Sequence, residues 1–275
     1  VLCERAAEQR RRFVAGRVQR TRQAAQEIVH GVNMFKTIIG FIKIASYMIK
    51  KNKLLKQAQK CEKAGDFAGR DKIVQASVPD WARFVIETAG GTVEVTGLEH
   101  IPQNRAVVFI GNHQSYMDIP LLLGYTGKHT AFVAKAELGK IPVLAPWMKL
   151  LPCTFIERKS IKKSMEAIHQ AAENVKKGYS QMIFPEGTRS KGGAWHEFKA
   201  GSFKLAFNSG APIVPVTIDG TYHLYEETGR LRPGHVKLTV HPPIETAQLT
   251  REQKAALPAQ VQDIITHSLT APLTE

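Results

Sequence analysis

Ala106-Val107-Val108-Phe109-Ile110-Gly111-Asn112-His113-Gln114-Ser115-Tyr116-Met117-Asp118 is the stretch on which the fold turns. Five apolar residues without a break read as a strand buried on both faces. The polar exit that follows carries a histidine and an aspartate five positions apart. Five residues at about 100° each come to roughly 140° around a helix, so these side chains cannot share one helical face. They can meet only across a turn: a strand ending at Ile110, a tight exit at Gly111-Asn112 and a helix beginning near Ser115 would let Asp118 reach back to the imidazole. The carboxylate would then fix the ring tautomer and leave the other nitrogen to take a proton from a hydroxyl. The competing reading is a loop histidine beside a helix N-cap, and under either reading Ser115 is expected to cap the helix.

The same pattern, an apolar run with a polar exit, recurs at Gln181-Met182-Ile183 before Phe184-Pro185-Glu186-Gly187-Thr188-Arg189-Ser190. Strands are expected at 93–95, 107–110, 131–134, 154–156, 182–184, 213–218 and 236–240, alternating with helices at 117–125, 144–150, 160–177, 198–208 and 251–269. Such alternation predicts an α/β domain over 91–275, with a central mixed sheet flanked by helices. In open α/β sheets the strand ends line the ligand crevice, and both polar clusters fall there. No Gly-x-Gly-x-x-Gly and no phosphate loop ending in Gly-Lys-Ser/Thr is present, which argues against nicotinamide or nucleoside triphosphate chemistry.

A chain of 275 residues can bury one full core, here with a helical appendage. Its net charge of +14 calls for an anionic partner: nucleic acid, an anionic membrane surface or a phosphorylated substrate. The absence of zinc-finger spacing, of an aromatic-rich ribonucleoprotein-type strand and of an arginine-rich recognition helix argues against nucleic acid. Cys3, Cys61 and Cys153 are scattered and odd in number, which suggests neither a disulfide framework nor a metal pair. His129, His196 and His223 are isolated, so a metal-dependent phosphohydrolase using His113 and Asp118 lacks further ligands, and no metal is expected.

Residues 1–33 hold seven arginines and no lysine, unlike the rest of the chain, and the first methionine is Met34. We expect an ordinary start at Met34, with 1–33 an atypical extension. Residues 34–90 read as a helical membrane-interface segment. Within it Phe35, Ile38, Phe41 and Ile42 form an apolar arc, while Lys36, Lys43 and Lys50 recur every seven residues as one basic stripe. The arc is too short and too charged to span the hydrocarbon core, which needs ~20 apolar residues. An amphipathic helix lying on anionic lipid is expected instead, with a second helix at 80–88 started by Pro79.

Four segments taken in order, Gly111 to Asp118, Phe155-Ile156-Glu157-Arg158, Phe184 to Ser190 and Ile213-Val214-Pro215-Val216, resemble the motifs of the glycerolipid acyltransferase family. The likeness is strongest to its bacterial-type 1-acylglycerol-3-phosphate acyltransferases. It runs from about Val93 to His241 and takes in Phe198-Lys199-Ala200-Gly201-Ser202-Phe203; Glu157 stands where the family often has aspartate. The resemblance implies transfer of a fatty acyl group from an acyl-carrier protein or coenzyme A thioester to the free hydroxyl of lysophosphatidic acid. The product is phosphatidic acid and no cofactor is needed; the basic amphipathic helix at 34–50 adds the expectation of a monotopic protein on the cytoplasmic face of the membrane.

In that chemistry His113 is the general base and Asp118 its orienter. Gly187 and Thr188 would turn N–H groups toward the oxyanion, with Glu186 organising the motif through hydrogen bonds. Arg158 and Arg189 suit the acceptor phosphate because a planar guanidinium gives bidentate contacts. The resemblance adds Lys135 as a phosphate-facing lysine. Cys153 is expected to be a buried, inert thiol. Glycerol-3-phosphate or another lysophospholipid is the alternative acceptor, and a non-enzymatic lipid-binding protein is the alternative class.

Overall fold

The structure, a computed structural model, describes residues 34–157 and 160–269. The expected extension at 1–33 and the candidate Arg158 lie outside these residues. Helix α1 (34–50) is followed by α2 (Asn52–Lys63) and α3 (Phe67–Ala89). The α/β body then runs β1 (Gly91–Thr96), β2 (Val108–Gly111), α4 (Asp118–Tyr125), β3 (Thr130–Lys135), α5 (Ala145–Leu150), β4 (Thr154–Ile156) and α6 (Ile161–Lys176). It closes with β5 (Ser180–Ile183), α7 (Ala200–Ser209), β6 (Ile213–Asp219), β7 (Gly234–Val240) and α8 (Arg251–His267).

Among the described residues the strands form one seven-stranded sheet in the order β1-β7-β6-β2-β5-β3-β4. All neighbours are parallel except β6 and β7, which makes the sheet mixed. Helices cover both faces, and this is why β2 is apolar without alternation. Phe109 joins Met182, Val214, Val216 and residues of α3 and α4 in one core. Val108 and Ile110 join Ile168, Phe203 and Val261 of α6, α7 and α8 in the other.

The helix expected to begin at Pro79 is instead a single helix from Phe67 to Ala89 with Pro79 inside it. A proline in a helix interior costs about 3 kcal/mol. Val74, Val78, Ala82, Val85 and Ile86 fall on one face and are buried, and each large aliphatic side chain contributes roughly 1.5–3 kcal/mol. Asp66 caps the start by accepting from the Gly69 N–H at 2.8 Å, and Gly90, at φ +84°, ends the helix in the left-handed conformation.

Helix α1 lies along α3 and the loop after β6. Tyr47 stacks on Phe84 with centroids 4.6 Å apart, and Phe41 meets Tyr225 edge-to-face at 5.6 Å. Gly40 lets the helix approach that loop, since a Cβ there would collide with Leu231 Cδ1. The opposite side of α1 is an uncovered apolar strip: Phe35 is 65% exposed, Ile38 51%, Ile42 59% and Ile49 63%, flanked by exposed Lys36, Lys43 and Lys50. Among the described residues no helix is long and apolar enough to cross a membrane.

Candidate active site

Strands β2 and β5 are parallel neighbours with Ile110 opposite Ile183, so the residues three positions beyond each, His113 and Glu186, leave the sheet side by side. The His113 N–H donates to Glu186 Oε1 at 2.6 Å, and the His196 N–H donates to Oε2 at 3.2 Å. Two further backbone bonds, Ser190 N–H to His113 O at 2.8 Å and Lys191 N–H to Gln114 O at 3.1 Å, lay the second exit against the first. Asn112 fixes the third strand. Its amide accepts from the Ile218 N–H and donates to the Ile218 carbonyl, both at 2.8 Å, extending the β2–β6 ladder by a side chain. Burial pushes the Glu186 carboxyl above its ordinary value, and the two backbone donors oppose that rise.

His113 and Asp118 meet across the turn. The ring Nδ1 lies 2.6 Å from Asp118 Oδ2, which also accepts from the Gln114 N–H at 2.8 Å and the Ser115 N–H at 2.9 Å. Thr221 Oγ1 donates to Oδ1 at 2.5 Å. A fully buried carboxylate surrounded by donors is an acceptor, so Nδ1 carries a hydrogen, and in the neutral ring the lone pair is on Nε2. Phe184 stacks on the ring at 4.0 Å between centroids and 11° between planes, which fixes its tilt.

Two local expectations are corrected. Ser115 does not cap α4, whose N-cap position is Met117 with no side-chain bond. Ser115 Oγ instead accepts from the Met117 N–H at 2.8 Å and donates to Glu226 Oε2 at 2.5 Å, so the hydroxyl serves a turn one step before the helix. Gly187, at φ +72°, does form the expected turn, but its N–H closes that turn on Phe184 O at 3.1 Å. The neighbouring exposed Thr188 is left as the backbone donor of the pair. Arg189 leaves the second exit toward the loop after β6. Its Nη1 donates to Glu226 Oε1 at 2.8 Å, while Glu157 holds Lys163 at 2.6 Å.

Lys135 ends β3 with its ammonium in solvent, 3.1 Å from Glu137. Lys199 brings a further cation to the turn: a Cβ on Gly187 would stand 2.9 Å from its Nζ. Glu226 and Thr221 were invisible to sequence reasoning, since both belong to a loop after β6 with no motif of its own. Among the described residues no group of three histidines, cysteines or acids comes together as a metal site.

An apolar cavity of about 380 Å³ lies beside this polar cluster. Tyr116 and Met117, between the histidine and the aspartate, form part of its wall, and Phe41, Met48, Trp81 and Trp147 enclose it from α1, α3 and α5. Cys153 also faces it, and burial pushes that thiol up to about 12. A histidine held by a carboxylate, an arginine and a lysine thus gather beyond the ends of β2 and β5, next to an apolar cavity.

Residues 92–219 match the family model described as Acyltransferase. A 1-acyl-sn-glycerol-3-phosphate acyltransferase of Borreliella burgdorferi is 35% identical over 183 residues, covering 66% of this chain and 73% of the relative. A chloroplastic 1-acyl-sn-glycerol-3-phosphate acyltransferase of Brassica napus is 36% identical over 154 residues, 55% of this chain, and the match spans only 44% of that longer protein. Among solved structures, the crystal structure of the 1-acyl-sn-glycerophosphate (LPA) acyltransferase PlsC from Thermotoga maritima superposes with a TM-score of 0.74 at 30% identity, covering 86% of this chain and 93% of that one. With the match over the motif-bearing strands and the shared fold, the chain belongs to the acyltransferase family.

Proposed function

We propose that the protein transfers a fatty acyl group from a thioester to the free hydroxyl of 1-acylglycerol-3-phosphate, giving phosphatidic acid. The observation that carries this reading is the buried Asp118 holding His113 Nδ1, with Nε2 available beside an apolar cavity. An alcohol is a poor nucleophile at neutral pH. Nε2 takes its proton as the oxygen attacks the thioester carbonyl, and the imidazolium is stabilised by Asp118. The tetrahedral oxyanion is met by the Thr188 N–H, a kind of contact that contributes roughly 3 kcal/mol. Collapse of the intermediate expels the thiolate, which recovers the proton from His113. The thioester carries its own activation, so the step needs no cofactor.

The acyl chain fits the cavity under α1, where apolar walls replace water at no polar cost. Arg189, together with Arg158 and Lys135, offers positive charge for the acceptor phosphate. The exposed strip of α1 suits an interfacial helix: its isoleucines and Phe35 enter the acyl region while Lys36, Lys43 and Lys50 meet anionic headgroups, each contributing ~1 kcal/mol near the surface. The protein is thereby a monotopic enzyme of the cytoplasmic membrane face, with acyl-carrier protein or coenzyme A as the thiol carrier. Purified protein given lysophosphatidic acid and both thioesters in parallel should form phosphatidic acid, read by mass spectrometry against a His113→Ala control. No product from either donor would overturn the proposal.

A further inference from the structure

We propose that Glu226, outside every motif and beyond the 92–219 family match, is a positioning residue that sets Arg189 for the anionic end of the acceptor. The inference rests on the acceptor reading above. The Glu226 side chain is 4% exposed, and its carboxylate binds the active-site loop twice and Arg189 once. Oε2 accepts from Ser115 Oγ at 2.5 Å; Oε1 accepts from the Tyr116 N–H at 2.7 Å and from Arg189 Nη1 at 2.8 Å. The Arg189 guanidinium carbon lies 3.5 Å from the Tyr116 ring centroid. One edge of the guanidinium is therefore tied to a buried carboxylate and its face rests on the phenol ring, leaving the rest of the fork for an anion.

A buried carboxylate weakens an anion site by repulsion unless its geometry repays the charge. Arginine loses considerable rotamer freedom when it binds, and a residue that holds it beforehand removes that cost from the binding step. Glu226 also fixes the Ser115-Tyr116 turn, which lies between His113 and Asp118, so one side chain sets the cation relative to the base. Its own place comes from the loop after β6, which α1 supports through Tyr225 on Phe41 and through the Leu231 N–H donating to Thr37 Oγ1 at 3.0 Å.

The test is steady-state kinetics of the full chain with Glu226→Gln, Arg189→Ala and the double variant, varying lysophosphatidic acid and thioester separately. Glu226→Gln keeps a carbonyl for the Tyr116 N–H and loses the charge that holds Arg189. We expect its KM for lysophosphatidic acid to rise about tenfold, with kcat and the donor KM within about twofold, and the double variant to be no worse than Arg189→Ala, as residues acting as a unit require. A fall in acceptor KM would make Glu226 a competing counter-charge, and a joint loss in kcat and both KM values would make it a structural residue; either overturns the inference. An unchanged acceptor KM in Arg189→Ala would take that arginine out of the phosphate site and the positioning role with it, a rise there with none in Glu226→Gln would sink the positioning role alone, and the acceptor reading itself fails only if lysophosphatidic acid gives no product. If Glu226→Gln does not fold, the same comparison is read on Glu226→Asp, which keeps the charge and withdraws it by one methylene.

Discussion

His113 and Glu186 stand 73 positions apart in the chain and are joined by one bond, from the His113 main-chain N–H to Glu186 Oε1. The carboxylate thereby holds the backbone of the residue whose ring Asp118 binds, while its second oxygen anchors His196. The turns that carry His113 and Glu186 cannot separate without breaking a buried contact, which suits the organising role proposed for Glu186.

Replacing Glu186 by glutamine should change how stability depends on pH. Burial raises the folded carboxyl above the ordinary value of about 4.3, so between those two points the native state binds a proton that the unfolded chain has released. Native stability is then highest below the ordinary value and falls as pH rises through the raised one. The substituted amide cannot titrate, and it turns a donor toward one backbone donor at a cost of ~1–3 kcal/mol. Thermal melts should show the wild-type advantage shrinking as pH rises across that window; an advantage that grows would contradict the assignment.

His113→Ala should lower kcat by about 10²–10⁴, the usual contribution of a general base, while circular dichroism and vesicle binding stay unchanged. Activity within tenfold of wild type would remove His113 as the base. Asp118→Asn brings an amide donor to a site with four surrounding donors and should lower kcat strongly with little effect on acceptor KM. Comparable damage to both constants would identify Asp118 as structural only.

Arg158→Ala and Arg189→Ala should each raise the KM for lysophosphatidic acid more than that for the thioester. A lost charge-assisted bond costs roughly 1.5–3 kcal/mol, one to two powers of ten in apparent affinity. Kinetics with each substrate varied in turn distinguish the two constants. If one variant leaves the acceptor KM unmoved, that arginine lies outside the phosphate site.

The membrane role of α1 is best tested at Ile38 and Ile42, because Phe41 is shared between the exposed strip and Tyr225. Replacing both isoleucines by aspartate should release the protein from anionic vesicles and lower activity on vesicle-borne substrate at least tenfold. Transfer to a short-chain, water-soluble lysophosphatidic acid should be nearly unchanged. Equal loss on both substrates would place the helix in the catalytic core, and full retention on vesicles would mean contact elsewhere.

The amino-acid order alone determined the features that arise within a few residues. The unbroken run Val107 to Ile110 reads as a strand buried on both faces, and a histidine and aspartate five apart can meet, if they meet at all, only across a turn. Both follow from local periodicity, which side-chain sterics and burial enforce wherever the segment lies. The same periodicity misplaced Pro79 at a helix start, since a proline's local penalty says nothing of the buried face that outweighs it. Ser115 looked like a helix cap, and its actual partner, Glu226, lies 111 positions away. Only the sheet register, Ile110 opposite Ile183, brought Glu186 to His113, and only packing of the loop after β6 against α1 carried Glu226 to Arg189. Contacts of such sequence separation depend on which strands pair and how the layers pack, and these are decided by the burial of the whole chain, which no short spacing encodes.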